Sequence, residues 1–344
     1  MPHLDWLVRT YDVPLGAAGF ALSCVMLPGA LAGLAVAAIA SVHAGFSSSF
    51  AILVVARIAE GVGYTLFVVA ATVIAAGIVP GRTALALSVW SSFAPIGFAL
   101  GQWAAAYAPD PPLPAIGVAH AVALILAAIA LVFSVDGSVK KRDKTASSGE
   151  ALRHAPALWT AAAFGGVCAV LLASIALAPV VLANHSQLPV AQVASLTALA
   201  ALPAIVGRIA PGWLLERGFT AFTVFATASA LGALSLAAAL VAPQPLALAL
   251  VLFGAFQILA GALPGLLSAM LPHVAPMPAQ LGTVSGMCSQ SVNIGNLIGP
   301  PLALAVYAAA GTGAAVLILV VLLGASVAAI AKLAVFRRDL RQAA

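Results

Sequence analysis

Asp136-Gly137-Ser138-Val139-Lys140-Lys141-Arg142-Asp143-Lys144-Thr145-Ala146-Ser147-Ser148-Gly149-Glu150 is the only substantial hydrophilic stretch in a chain of 344 residues. Hydrophobic residues make up 63% of the sequence and charged residues 7%, and the mean hydropathy is +1.15. A soluble domain carries about 25% charged residues, so this chain has too few polar side chains to coat a surface facing water. A soluble enzyme is thereby excluded, and a bilayer is the solvent that suits the composition. The net charge of +5 could suggest nucleic acid. The basic residues flank apolar runs instead, which points to orientation in a membrane and to no nucleic-acid partner.

Working outward from this stretch, the charges count the crossings. Lys and Arg stay on the cytoplasmic side, and a spanning helix needs about 20 apolar residues. Basic residues occur at Arg9, at Arg82, in the quoted stretch with Arg153, at Arg208 and Arg217, and at Lys332, Arg337, Arg338 and Arg341. Arg57 alone lies inside an apolar run. If the other groups share one side, each interval holds an even number of spans. Towards the N-terminus the runs are 14–40, 50–79, 84–108 and 113–134, parted by His43-Ala-Gly-Phe-Ser-Ser-Ser49, by Arg82 and by Pro109-Asp110-Pro111-Pro112. Towards the C-terminus, residues 154–207 carry no Asp, Glu, Lys or Arg. As one helix they would be roughly 80 Å long, so the chain turns back at Asn184-His185-Ser186-Gln187-Leu188-Pro189. Residues 218–331 are equally free of charge and are divided at Ala242-Pro243-Gln244-Pro245, at Pro272–Pro278 and at Gly311-Thr312-Gly313.

The expectation is an all-α polytopic membrane protein of about ten spans, four plus six, with both termini cytoplasmic and the plasma (inner) membrane as its location. Residues 1–134 form an N-terminal bundle, 135–156 a cytoplasmic linker and 157–344 a six-helix bundle. The alternative for 135–156 is an ordinary surface loop within one bundle. The first apolar run, Pro14 to Ala40, exceeds the about 7–15 residues of a signal-peptide core and is read as a retained span.

Cys24, Cys168 and Cys288 lie in apolar segments, with no CxxC or Cys/His cluster to suggest a disulfide framework or a metal site. HExxH, GxSxG, GxxxxGK[ST] and GxGxxG are all absent, so no enzyme activity and no cofactor is expected.

The second span reads Ala56-Arg57-Ile-Ala-Glu60-Gly61-Val-Gly63-Tyr64, and the third contains Pro95-Ile-Gly97-Phe-Ala-Leu-Gly101. R-x-x-E-G-x-G, a basic turn and P-x-G-x-x-x-G together resemble the fourth and fifth helices of the major facilitator superfamily. Gly212-Trp-Leu-Leu-Glu216-Arg217-Gly218 resembles that family's cytoplasmic signature between the second and third helices of a half. Gly286-Met-Cys-Ser-Gln290-Ser-Val-Asn293-Ile-Gly295-Asn296-Leu-Ile-Gly299-Pro300-Pro301 is similar to its eleventh helix. The resemblance runs from about residue 12 to 336, and spans two and three are closest to the cyanate/nitroimidazole and organic-anion branches. It implies two bundles rocking around a midplane site. The family has six helices in each half. Here the first half has four, and span one reads as a remnant in which the family's second and third helices are fused.

Arg57 and Glu60 are expected on one face, three residues apart and able to pair, with Gly61 and Tyr64 on the same face. An arginine at the centre of a span costs about 2.5–3.5 kcal/mol on insertion scales, so an intramembrane charge is a functional candidate. Arg57 would meet an anion or help proton coupling, and Glu60 would partner it or carry a proton. The plainer alternative is an ion pair that locks helix packing. Ser285, Ser289, Asn293 and Asn296 share one helix face, and either line the pathway or form a seam between helices, with Pro300-Pro301 marking a kink. Gln257 could bond substrate or a neighbouring helix. By the resemblance, Gly212, Glu216 and Arg217 would form a gate latch, with Arg217 otherwise an orientation charge. His120 is expected buried near the outer end of the fourth span, in a packing role, with proton relay as the alternative.

The function expected from these residues is secondary transport of a small solute, a small anion, with a proton as co-transported partner and a monomer in the bilayer as the working state. The alternatives are efflux of apolar drugs or toxicants, and a truncated membrane protein that does not transport.

Overall fold

The computed structural model describes residues 27–78, 82–97, 113–134, 148–242, 244–277 and 280–342. Eleven helices fill them, with no strand among the described residues. They are α1 Leu27–Gly45, α2 Phe50–Ile78, α3 Thr83–Ser91, α4 Leu113–Ser134, α5 Ser148–Arg153, α6 Ala155–Ser186, α7 Val190–Ala201, α8 Ala204–Glu216, α9 Ala221–Leu240, α10 Leu246–Val274 and α11 Leu281–Gln342. An apolar chain in lipid must satisfy its backbone groups within each segment, and the helix does so. Among the described residues, six stretches are long and apolar enough to cross a membrane: Phe50–Ala76, Ala155–Ser186, Gln192–Glu216, Ala221–Leu240, Leu246–Val274 and Leu281–Leu333. Leu31–Gly45, Thr83–Gly97 and Pro114–Ala130 are shorter apolar helices. The chain is an all-α, multi-pass membrane protein.

The ends of these helices follow local chemistry. Helix α6 closes at Gln187, which sits in the left-handed region (φ 58°) and donates its N–H to the Ala183 carbonyl. Helix α8 ends on Gly218 at φ +87°. There Phe219 N–H reaches the Leu214 carbonyl and Gly218 N–H the Leu215 carbonyl, the paired bonds of a Schellman turn. The Thr220 side chain accepts from the Thr223 N–H and starts α9.

Four details depart from the sequence reading. Helix α1 continues to Gly45, so His43 is helical rather than in a loop; residues 14–26 lie outside the described residues. The third span turns at Ser92 before resuming as far as Gly97, and the Ser91 and Ser92 hydroxyls donate to the carbonyls of Ser88 and Val89. The sixth span is two helices in series, α7 and α8, parted at Leu202-Pro203, where proline brings no N–H to the ladder. Pro300-Pro301 leaves α11 helical, and its one non-helical residue is Gly311 (φ 80°, ψ −177°). A straight helix of that length would run roughly 90 Å, three times the apolar thickness of a bilayer, so the chain must change direction at Gly311.

The chain divides into two compact units. One holds α1, α2, α4 and the start of α11 as far as Gly286; the other holds α3, α5–α10 and the rest of α11. In the first, α1 packs on both α2 and α4. In the second, α10 is central and touches α6, α7, α8 and α9.

Candidate functional site

Glycines set the first unit's geometry. A Cβ on Gly63 would lie 2.5 Å from the Gly33 carbonyl oxygen, and one on Gly117 2.5 Å from that of Ser41. Only hydrogen fits at these crossings, so α1 comes close enough to α2 and α4 for short side chains to meet.

Glu60 is where they meet. Its Oε2 accepts from Arg57 Nη1 at 2.6 Å. Its Oε1 accepts from the Ser41 hydroxyl at 2.5 Å and lies 2.9 Å from His120 Nδ1. Ser41 Oγ and His120 Nδ1 are 2.8 Å apart. Three helices thus converge on one carboxylate. Glu60 is enclosed, its side chain 13% exposed, while those of Arg57 and His120 are 57% and 50% exposed. Gly61 borders open space, and Tyr64, one turn beyond Glu60, is exposed. Glu60 is ten residues into α2, about 15 Å along its axis, and His120 about 10 Å into α4. His120 is therefore an exposed partner of Glu60 rather than the buried packing residue the sequence suggested. Its place, and that of Ser41, could not be read from the chain, because they lie 79 and 19 residues away from their partners.

The polar face of α11 is present, with Ser285 buried and Ser289, Asn293 and Asn296 half-buried. Gly295 and Gly299 lie on another side of the helix, while Gly282 and Gly286 fall on or beside the polar face. Any side chain at Gly295 or Gly299 would overlap the Gly165 or Ala169 carbonyl of α6. Gly282 and Gly286 make ordinary contact with Val73 and Val69 of α2. Gln257 is 1% exposed within the second unit, and its Nε2 has no hydrogen-bond partner among the described residues.

Of the expected gate residues, Gly212 lies where α8 meets α3. A Cβ there would stand 2.8 Å from Leu85 Cα and 2.9 Å from Ser88 Oγ. Arg217 lays its guanidinium over the Trp213 ring, 3.4 Å from the centroid, a cation–π contact. Glu216 is exposed at the last turn of α8. Arg208, expected as an end charge, is half-buried two turns inside α8 and donates Nη1 to the Ser91 carbonyl at 2.8 Å. Ser88 Oγ donates to the Gly265 carbonyl at 3.2 Å. Polar bonds therefore tie α3 to α8 and α10.

No group of three or more His, Cys, Asp or Glu able to hold a metal occurs among the described residues. Cys168 and Cys288 are buried free thiols.

The profile of the Major Facilitator Superfamily matches residues 21–257. No curated protein sequence matches the chain. Among solved structures, the fold is similar to the human organic anion transporter MFSD10 (TETRAN), with a TM-score of 0.66, 20% identity, and coverage of 95% of this chain and 88% of that one. It is also similar to the transporter FucP in the outward conformation, with a TM-score of 0.65, 16% identity and coverage of 92% and 86%. The N162A variant of the E. coli fucose:proton symporter FucP gives 0.64, 16%, 92% and 87%.

Proposed function

The chain belongs to the major facilitator superfamily, and from that premise we propose that it is a secondary transporter carrying a small anion across the plasma (inner) membrane by alternating access. Membership of the family supports a transporter rather than an enzyme. The observation that carries the anion reading is the Arg57–Glu60 pair. Arg57 donates Nη1 to Glu60 on α2, and its side chain stays 57% exposed. Such a group offers further N–H donors in a fixed fork, suited to carboxylate-like or oxyanion ligands.

The second unit carries polar candidates of its own. Ser289, Asn293 and Asn296 share one face of α11, and Gln257 keeps an amide donor in reserve on α10. Gly212, Glu216 and Arg217 act at the cytoplasmic end of α8, where the contact between α3 and α8 must open and close in each cycle. A fold like that of an organic anion transporter and of a fucose:proton symporter is compatible with an anion cargo and with a proton as the coupling ion. The reading also takes both termini and residues 135–156 as cytoplasmic, the two halves as the moving bodies, and a monomer as the working unit.

The test is uptake into proteoliposomes containing the purified full chain, using labelled formate, nitrate and benzoate against a set of apolar dyes. Saturable movement of at least one anion is expected. Movement of the dyes alone would transfer the protein to the efflux class.

A further inference from the structure

We propose that His120 is the proton-binding residue of the site, and that its charge decides whether Arg57 is free to attract an anion. The idea rests on the anion reading above and adds the residue that couples it to pH.

The geometry fixes the tautomer. An ionised carboxylate only accepts hydrogen bonds. The Ser41 hydroxyl already donates to Glu60 Oε1, so Ser41 Oγ can only accept from the ring. His120 Nδ1 lies 2.9 Å from Oε1 and 2.8 Å from Ser41 Oγ. A nitrogen facing two acceptors must carry the hydrogen. In the neutral ring Nε2 then holds the lone pair. The side chain is 50% exposed, and a proton adding at Nε2 breaks no hydrogen bond described in the cluster. Nothing leaves; the ring becomes imidazolium.

Charge arithmetic supplies the consequence. With His120 neutral, Arg57 and Glu60 cancel and the cluster has no net charge. With His120 protonated, one carboxylate faces two cations and the cluster carries a single positive charge. It then attracts one monoanion, so that proton and anion bind as an electroneutral pair. The other titratable groups near it are few. On α1, His43 bonds its own helix at the Ile39 carbonyl. Helix α2 offers only Tyr64 beyond Arg57 and Glu60, α4 has no titratable residue other than His120, and residues 277–286 carry none.

Nitrate serves as the probe, because it stays ionised throughout the pH range used. Its binding to the purified full chain is read by thermal shift at pH 5.5 and pH 8. Wild type is expected to bind about tenfold more tightly at the lower pH, a typical coupling between two sites. His120→Gln, which cannot take the proton, is expected to bind weakly at both. Glu60→Gln removes the counter-charge and is expected to bind tightly at both. A purely structural Glu60 would instead lose binding at every pH, and that result overturns the proposal. So does a His120→Gln protein that keeps the wild-type pH dependence, or a wild type that binds nitrate at neither pH. Nitrogen NMR of histidine-labelled wild type needs no variant: His120 should show the Nδ1–H tautomer at pH 8, and an Nε2–H tautomer overturns the idea. If the binding pattern holds while no anion crosses proteoliposomes, the transport reading fails and this inference stands.

Discussion

At the scale of the residue, Arg57 and Glu60 were legible because their spacing of three places both on one face of a helix. Ser41 and His120 were not, since nothing in a linear sequence links a serine of one span to a histidine of another. Only the glycine crossings at Gly33, Gly63 and Gly117 bring them together. The cluster makes Arg57→Ala a sharp test. Glu60 would keep Ser41 and His120, so the bundle should insert normally, while anion uptake should fall about 10–100-fold, the worth of a charge-assisted hydrogen bond. Wild-type uptake in that variant would remove Arg57 from the pathway. A second test concerns backbone alone. Gly218 sits at φ +87° with open space around it, so Gly218→Ala meets no clash but pays for the left-handed conformation. A loss of about 1 kcal/mol is expected, read as a lowered melting temperature in detergent.

At the scale of the element, the helix ends were largely readable. Asn184–Pro189, Ala242–Pro245 and Pro272–Pro278 all fall where helices stop, because proline and short polar residues compete with the backbone ladder. Proline misled at Pro300-Pro301, which stays helical, and was undervalued at Pro203, where the sixth span breaks. The same physics acts at both. Pro203 stands between two helices and Pro300-Pro301 inside one, and the linear sequence does not tell the two settings apart. Arg208 was misread for a similar reason, since only the packing of α3 on α8 shows its bond to Ser91. Two predictions belong here. Gly299→Val should overpack the contact with α6 and cost about 1–3 kcal/mol or more, seen as poor recovery of folded protein. Gly212→Leu should prevent α3 from seating on α8, and labelling of a cysteine placed at Leu85 by a membrane-impermeant thiol reagent should rise. Unchanged labelling would show that Gly212 has no part in that contact.

At the scale of the whole molecule, composition alone gave the membrane class, while the cytoplasmic linker at 135–156 is a proposal from the sequence. The reading of four spans plus six predicts that protease added to the cytoplasmic face of inverted vesicles cuts once between 135 and 147, leaving two membrane-bound fragments. Protection from that face, with cutting from the other, would invert the topology. What the sequence could not supply was which helices travel together. The backbones of α6 and the first arm of α11 touch at Gly165 against Gly295 and at Ala169 against Gly299. No lipid tail can enter there, and neither helix can rotate against the other without driving a side chain into a peptide plane. These two therefore behave as a single stiff beam, and any rearrangement that passes solute across the bilayer must bend or slide at some other joint.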